Sequence, residues 1–466
     1  MTNASTEKPA TLSRGLKSRQ LIMMALGSSI GTGLFIGSGK AIGVAGPAVL
    51  ISFLIAGAIL ILVMRMLGEM AAAHPNSGAF SYYAEKAMGR VAGATVGWLW
   101  WVQIVVVVAA EATGAAAILG GLWSFLPQWL LTLAFMVLFT VINLLGVGKF
   151  GQLEFWFAIL KVAVIVIFLV VGVLLITGLI PSDSGPGFAN LFSHGGFLPT
   201  GWAGMAAGLL IVIFAFGGTE LVTIAAAETE NAEHNVGRAI RSVVWRILVF
   251  YIGSVLVMVT VLPWDSPATA NPFASVLAAA HLPYAEEVTT LVIAVAVLSA
   301  LNANLYGSSR MIFSLSERGM APKFLSKVTE RKVPLAAVLA SVLFGFVTVI
   351  LNFIDPEHIL SILLQLVGST ALMMWISTVV SQLILRRRAD AAGEKLAVPM
   401  WGFPYLSWLA MLLIAGILLL GFLDSAVRIQ VLGTFALTAL IALLNWIGLR
   451  RSRTTAEPET LSNLPS

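Results

Sequence analysis

Cysteine is absent from the 466 residues. Disulfides, thiol nucleophiles and thiolate metal sites are thereby excluded. Charge is scarce too. Asp, Glu, Lys and Arg make up 11% of the chain, against about 25% in a soluble globular domain, so a water-exposed surface cannot be built from this composition. Histidine is rare: His74, His194, His234, His281 and His358 are the five present. They fall in predicted loops without metal-ligand spacing and read as solvated, so neither a metal nor a cofactor is expected. Phosphate-binding glycine motifs are also missing. Gly31-Thr32-Gly33 has Ile36 where a dinucleotide fingerprint needs its third glycine, and Gly39-Lys40 has Leu34 where a phosphate loop needs its first.

What the chain does have is apolar length. Hydrophobic residues make up 59% of it and the mean hydropathy is +0.95. Apolar runs fall near 21–42, 47–68, 95–121, 129–146, 155–178, 203–227, 243–263, 287–315, 334–353, 359–385, 404–423 and 429–449. Most approach the roughly 20 residues that a helix needs to cross a bilayer. The reading is an all-α polytopic membrane protein with 12 transmembrane helices. Residues 1–17 form a polar tail, 18–450 one membrane domain and 451–466 a second tail. No small-residue cleavage site follows the first run, so the first helix is expected to stay in place.

The net charge of +5 does not point to nucleic acid, because the cations sit in short segments between runs, where they set topology. With both termini cytoplasmic, all but three of the 27 lysines and arginines face inward. Lys40 and Arg428 fall outside, and Lys161 falls within a helix. That asymmetry predicts a multi-pass protein of the inner (plasma) membrane with the lipid bilayer as its surroundings. Trp98, Trp100 and Trp101 are expected in an interfacial belt.

Two runs carry interruptions. The first contains Gly27-Ser28-Ser29-Ile30-Gly31-Thr32-Gly33-Leu34-Phe35-Ile36-Gly37, and the sixth contains Phe214-Ala215-Phe216-Gly217-Gly218-Thr219-Glu220. Each glycine weakens a helix by about 1 kcal/mol relative to alanine. Such clusters serve either close helix packing or an opened backbone, which lipid tolerates only where it lines a cavity or is buried in protein. Freed N–H groups would hold a carboxylate and freed carbonyls an ammonium; a zwitterionic amino acid offers both. Runs one and six head two five-run units, 18–178 and 201–385, which odd numbers would insert in opposite orientations. Runs eleven and twelve, 403–450, lie outside that repeat.

Three ionisable groups fall well inside runs: Glu111, Lys161 and Glu220. Each needs a partner or water there, and each is a candidate for substrate or proton contact. Lys161 either snorkels to the cytoplasmic interface or gains and loses a proton as a chamber opens and closes. Glu111 either meets substrate or proton, or bonds a neighbouring helix. Glu69 and Glu154, near the ends of runs, read as structural.

The landmarks Gly27-Ser28-Ser29-Ile30-Gly31-Thr32-Gly33-Leu34-Phe35, Gly68-Glu69-Met70 with Pro75-Asn76-Ser77-Gly78-Ala79-Phe80, Glu154-Phe155-Trp156-Phe157 leading to Lys161, Phe216-Gly217-Gly218-Thr219-Glu220 with Ala227-Glu228, and Asn302-Ala303-Asn304-Leu305-Tyr306 with Ser309-Arg310 together resemble the amino acid–polyamine–organocation superfamily. The likeness is to its bacterial permeases for GABA, aromatic amino acids and D-alanine/glycine, and it runs over nearly the whole chain. It implies a LeuT-type fold of two inverted five-helix repeats with broken helices 1 and 6. By that resemblance Ser28, Ser29, Gly31, Thr32 and Gly33 hold the substrate carboxylate. Phe214, Ala215 and Gly217 present backbone to the amino group, Phe216 is an aromatic gate, and Lys161 couples protons.

The expected activity is import of an amino acid with protons. The rival within the fold is amino-acid exchange. An enzyme is disfavoured by the missing nucleophile and metal constellations, and a channel by the missing ring of pore-lining polar groups. Room at Gly217-Gly218 favours a medium or large substrate side chain. The residues favour neither a monomer nor a homodimer.

Overall fold

The computed structural model describes residues 30–76, 78–145, 150–181, 187–219, 232–281, 284–330, 333–422 and 425–454. Ser28, Ser29 and Glu220 lie outside them. Among the described residues every regular element is a helix. A π-helical turn, Gly33–Gly37, runs into α1 (Ser38–Ala45), followed by α2 (Val49–Ala73), α3 (Ala79–Met88), α4 (Arg90–Leu122), α5 (Gln128–Leu145) and α6 (Phe150–Ile176). Next come the short α7 (Asn190–Ser193), then α8 (Gly201–Ala215), α9 (Ala232–Val261), α10 (Pro272–Ala278) and α11 (Ala285–Glu317). The last are α12 (Leu335–Ile354), α13 (Ile359–Ala391), α14 (Tyr405–Gly421) and α15 (Ser425–Thr454).

Helices thus begin and end where the local chemistry dictates. Gly46-Pro47 separates α1 from α2, and Gly89, at φ +95°, closes α3 in a conformation that a side chain would strain. Pro272 opens α10 and Pro334 precedes α12, places where a missing N–H costs nothing. Among the described residues eight helical stretches, the first being Gly33–Ala73, are long and apolar enough to cross a membrane; Gly201–Ala215, Leu248–Val261 and Tyr405–Gly421 are shorter apolar helices. The first two apolar runs share the continuous stretch Gly33–Ala73, and each later run holds one of the other ten elements. The chain is an integral, multi-pass protein.

The interior is organised around α4, which packs on α11, α3, α13, α12, α5 and α15. In its most apolar stretch 83% of residues are buried, against 17% in α15. The outer helices instead turn large side chains outward, among them Leu138, Val170, Leu343, Leu412 and Leu444. Such a surface is stable only against lipid.

A polar knot closes the C-terminal end of α2. The buried Glu69 carboxylate accepts from Gln382 Nε2 at 2.7 Å, from Arg386 at 2.7 Å and from the backbone N–H of Met400. Gln382 in turn accepts from Ser407 Oγ at 2.9 Å. Arg65 donates to the Pro399 carbonyl at 2.6 Å and lies over the Trp401 ring. The segment linking α13 to α14 is therefore tied to α2, the structural role expected of Glu69.

Several expectations need correction. The indoles expected at an interface are bonded within the protein: Trp98 Nε1 donates to the Met320 carbonyl at 2.9 Å, and Trp101 Nε1 donates to Ser341 Oγ at 3.1 Å. Trp100 is buried edge-on against Phe80, with ring centroids 5.2 Å apart. The Trp98 and Trp101 indoles clamp α4 to its neighbours through these bonds. His234 lies within α9 rather than a loop. His194 pairs with Asp265 and His358 with Asp355, so neither is merely solvated. Finally α3, with Ser81, Glu85 and Lys86 among its residues, lacks an apolar run; Arg318 of the α11 end holds it through Ser81 and Glu85.

Candidate functional site

In the first run the described residues begin at Ile30 and show a helix start. Ile30 and Gly31 are non-helical, winding starts at Thr32, and the Gly31 carbonyl accepts from both Leu34 and Phe35 N–H groups at 3.2 Å. A helix start leaves N–H groups without intrahelical partners. Here Thr32 supplies two donors to one acceptor: its backbone N–H reaches Glu111 Oε2 at 2.9 Å and its hydroxyl reaches the same oxygen at 2.7 Å. Thr32 is fully buried and Glu111 is 3% exposed. The carboxyl lies so close over Gly31 that a Cβ there would collide with Glu111 Oε1, and it would stand 2.9 Å from Ala300 Cβ. One turn along α4 from Glu111, Gly114 makes room for the Thr32 side chain: a Cβ on it would come within 2.8 Å of Thr32 Oγ1.

The end of α8, in the sixth run, lies against this helix start. Helix α8 ends at Ala215 in a tightened turn, with Phe216 N–H on the Ile213 carbonyl at 3.2 Å and Gly217 N–H on the Phe214 carbonyl at 2.8 Å. The chain then turns at Gly218, with φ +87°. Thr219 Oγ1 donates back to the Phe216 carbonyl at 3.0 Å. A Cβ on Gly33 would lie 2.6 Å from Ala215 Cα and 3.2 Å from Phe214 Cε1. The helix start and the helix end therefore meet backbone to backbone.

Aromatic and charged groups surround this meeting. The Phe216 ring is buried, stacked on Tyr251 with centroids 5.2 Å apart and edge-on to Phe53 at 5.8 Å. Lys161 of α6 is fully buried, so it does not snorkel to an interface. Its ammonium and the Tyr251 hydroxyl both lie within coulombic range of the Glu111 carboxyl. Beyond Glu111, Asn352 Nδ2 donates to Thr113 Oγ1 at 2.9 Å, and Gln128 Nε2 donates to Asn352 Oδ1 at 2.6 Å. Among the described residues no group of His, Asp and Glu is arranged to hold a metal ion.

A profile of the family described as "Amino acid permease" matches residues 20–454. The chain belongs to the amino acid permease family. Its similarity to an aromatic amino acid transport protein of Corynebacterium glutamicum is 45% identity, covering 94% of this chain and 95% of the relative. A probable GABA permease of Pseudomonas aeruginosa is 42% identical over 96% of the chain and 94% of the relative. The gamma-aminobutyric acid permease of Bacillus subtilis is 40% identical over 95% and 94%. The permeases it resembles are transporters rather than enzymes, and amino-acid transport is the activity that membership supports.

Within this permease Gly33 meets Phe214 and Ala215, Gly31 and Thr32 meet Glu111, and Phe216 and Gly217 form the turn that follows α8. Residue-by-residue reading singled out Thr32 and Glu111 but not their bond, which spans 79 positions. A local signal existed: Glu111 and Gly114 share one face of α4, pairing an acceptor with a space one turn apart. Tyr251 carried no such signal.

Proposed function

We propose that this permease is a secondary active transporter that imports an amino acid together with protons by alternating access. The substrate class suggested by its relatives is an aromatic amino acid or γ-aminobutyrate, and the setting is the inner membrane with both termini cytoplasmic. The observation that carries the reading is the contact between the helix start at Thr32 and the helix end at Ala215, where Gly33 has no room for a side chain. Opened backbone of both polarities then faces one buried point, which is what a zwitterion requires.

In this reading Ser28, Ser29, Gly31, Thr32 and Gly33 serve the substrate carboxylate, and Phe214, Ala215 and Gly217 the amino group. Phe216 closes over the substrate. Lys161 and Glu220 handle protons, while Glu111, the third candidate for substrate or proton contact, stays on the substrate side. The architecture is the LeuT type, with two inverted five-helix repeats over 18–178 and 201–385, and 403–450 outside them. Support for coupling at Lys161 comes from its complete burial within coulombic range of the Glu111 carboxyl, where gain or loss of one proton changes the local charge balance.

The test is uptake into proteoliposomes with a panel of competing amino acids, with and without a pH gradient. Uptake should rise with an inward proton gradient and be blocked by aromatic amino acids or by γ-aminobutyrate. Uptake that ignores the gradient but rises with internal substrate would replace symport by exchange.

A further inference from the structure

The donors that a substrate carboxylate would need are already engaged. Glu111 Oε2 takes both the backbone N–H and the hydroxyl of Thr32, at 2.9 and 2.7 Å, and Oε1 fills the space over Gly31. These contacts reproduce what a free carboxylate would make at a helix start: oxygen on the first N–H groups and on the adjacent hydroxyl. We propose that the Glu111 carboxyl is a tethered occupant of the carboxylate cradle, which satisfies the helix start when the carrier is empty and must withdraw when substrate enters. The proposal rests on the transport reading above and deepens it.

The physical reason is the cost of an unpaired donor. Bared N–H and O–H groups in a buried, lipid-surrounded place are expensive to leave without a partner. A carrier that lacked an internal partner would return across the membrane easily only when loaded, which is obligatory exchange. One that carries its own acceptor can return empty, and therefore accumulates solute. Thr32 and Glu111 are both buried, so bulk water is not the ready substitute. Two carboxylates cannot share the Thr32 donors, so entry of substrate and release of Glu111 are one event. The groups facing Glu111 from packed elements are Thr32 from the π-turn start, Lys161 from α6 and Tyr251 from α9.

The test compares Glu111→Gln, Glu111→Asp and Glu111→Ala with the unaltered protein in proteoliposomes, using radiolabelled phenylalanine and γ-aminobutyrate as probes. Net efflux into substrate-free buffer and counterflow are measured on the same vesicles. Gln keeps an acceptor at the same reach, whereas Asp is a methylene short and Ala has none. The ratio of net efflux to counterflow should stay near the unaltered value for Gln and fall about tenfold for Asp and Ala. Equilibrium binding to Asp and Ala should tighten, because the competitor is gone.

The reverse order, with Asp near the unaltered ratio and Gln as impaired as Ala, overturns the proposal, since only a titrating group would then suffice. Parallel loss of binding, counterflow and net efflux in all three also overturns it, by assigning Glu111 to structural support. The transport reading fails separately, through absence of binding and counterflow for any amino acid in the unaltered protein. If Ala does not fold, the Gln–Asp comparison decides.

Discussion

Gly33 and Ala215 stand backbone against backbone, with 2.6 Å left between Ala215 Cα and the place a Cβ on Gly33 would occupy. Neither atom belongs to a flexible side-chain end, so the added methyl must push the two helix ends apart. Overpacking of this kind costs about 1–3 kcal/mol. Gly33→Ala should therefore weaken substrate binding by roughly ten- to a hundredfold, with protein that still purifies as one species. Binding of labelled phenylalanine and γ-aminobutyrate to purified protein checks this; unchanged affinity for whichever the unaltered protein binds would place the site elsewhere.

Lys161 is fully buried, within coulombic range of the Glu111 carboxyl, and transport assays distinguish a coupling role from a binding one. Lys161→Ala should lower uptake driven by an inward proton gradient more strongly than it lowers equilibrium binding. Gradient-driven uptake and binding measured on one preparation read out the difference. Equal losses in the two would make Lys161 a support for the site only.

The knot at Glu69 predicts a stability effect without a specificity effect. Glu69→Ala leaves Arg386, Gln382 and the Met400 N–H without their shared acceptor. Removing one partner from a buried ion pair costs about 3–5 kcal/mol. Thermal unfolding in detergent should shift down by several degrees, while the order of preference among competing amino acids stays as it was.

His74, just beyond the end of α2, carries a pKa held below its ordinary value, first by partial burial and then by the charge of Lys86. Its neutral form is favoured in the folded protein. The unfolded chain therefore binds more protons below about pH 6.5, and the stability contribution is present above that pH and lost as pH falls. His74→Asn should flatten the decline in unfolding temperature between pH 7 and pH 5. An equally steep decline in the variant would move its origin to another group.

Much of this organisation could be read locally. Apolar runs became helices because only intrahelical bonding satisfies backbone in lipid, and Gly217-Gly218 ended α8 after Ala215 as glycine pairs do. The burial of Lys161 followed from its depth in the fifth run. Long-range pairings were invisible. The Thr32–Glu111 bond and the indole contacts of Trp98 with Met320 and Trp101 with Ser341 join residues from 79 to 240 positions apart, and no periodicity encodes them. The helix α3 was missed because it is too short for a span: Phe80, Tyr83, Ala84 and Ala87 form a buried apolar stripe of only two turns, with the pairing of Glu85 to Arg318 beside it. The π-turn was hidden because glycines report only that winding is loose, not how it is loosened.

That turn has a mechanical consequence. Gly33–Gly37 is wound with bonds that skip one residue more than an α-helix does. Rewinding it as α would release about 1.5 Å of rise for each residue taken up and would swivel Ser38–Ala45 about its own axis. Slack is thus stored immediately beside Thr32, and drawing it in would turn the segment like a screw.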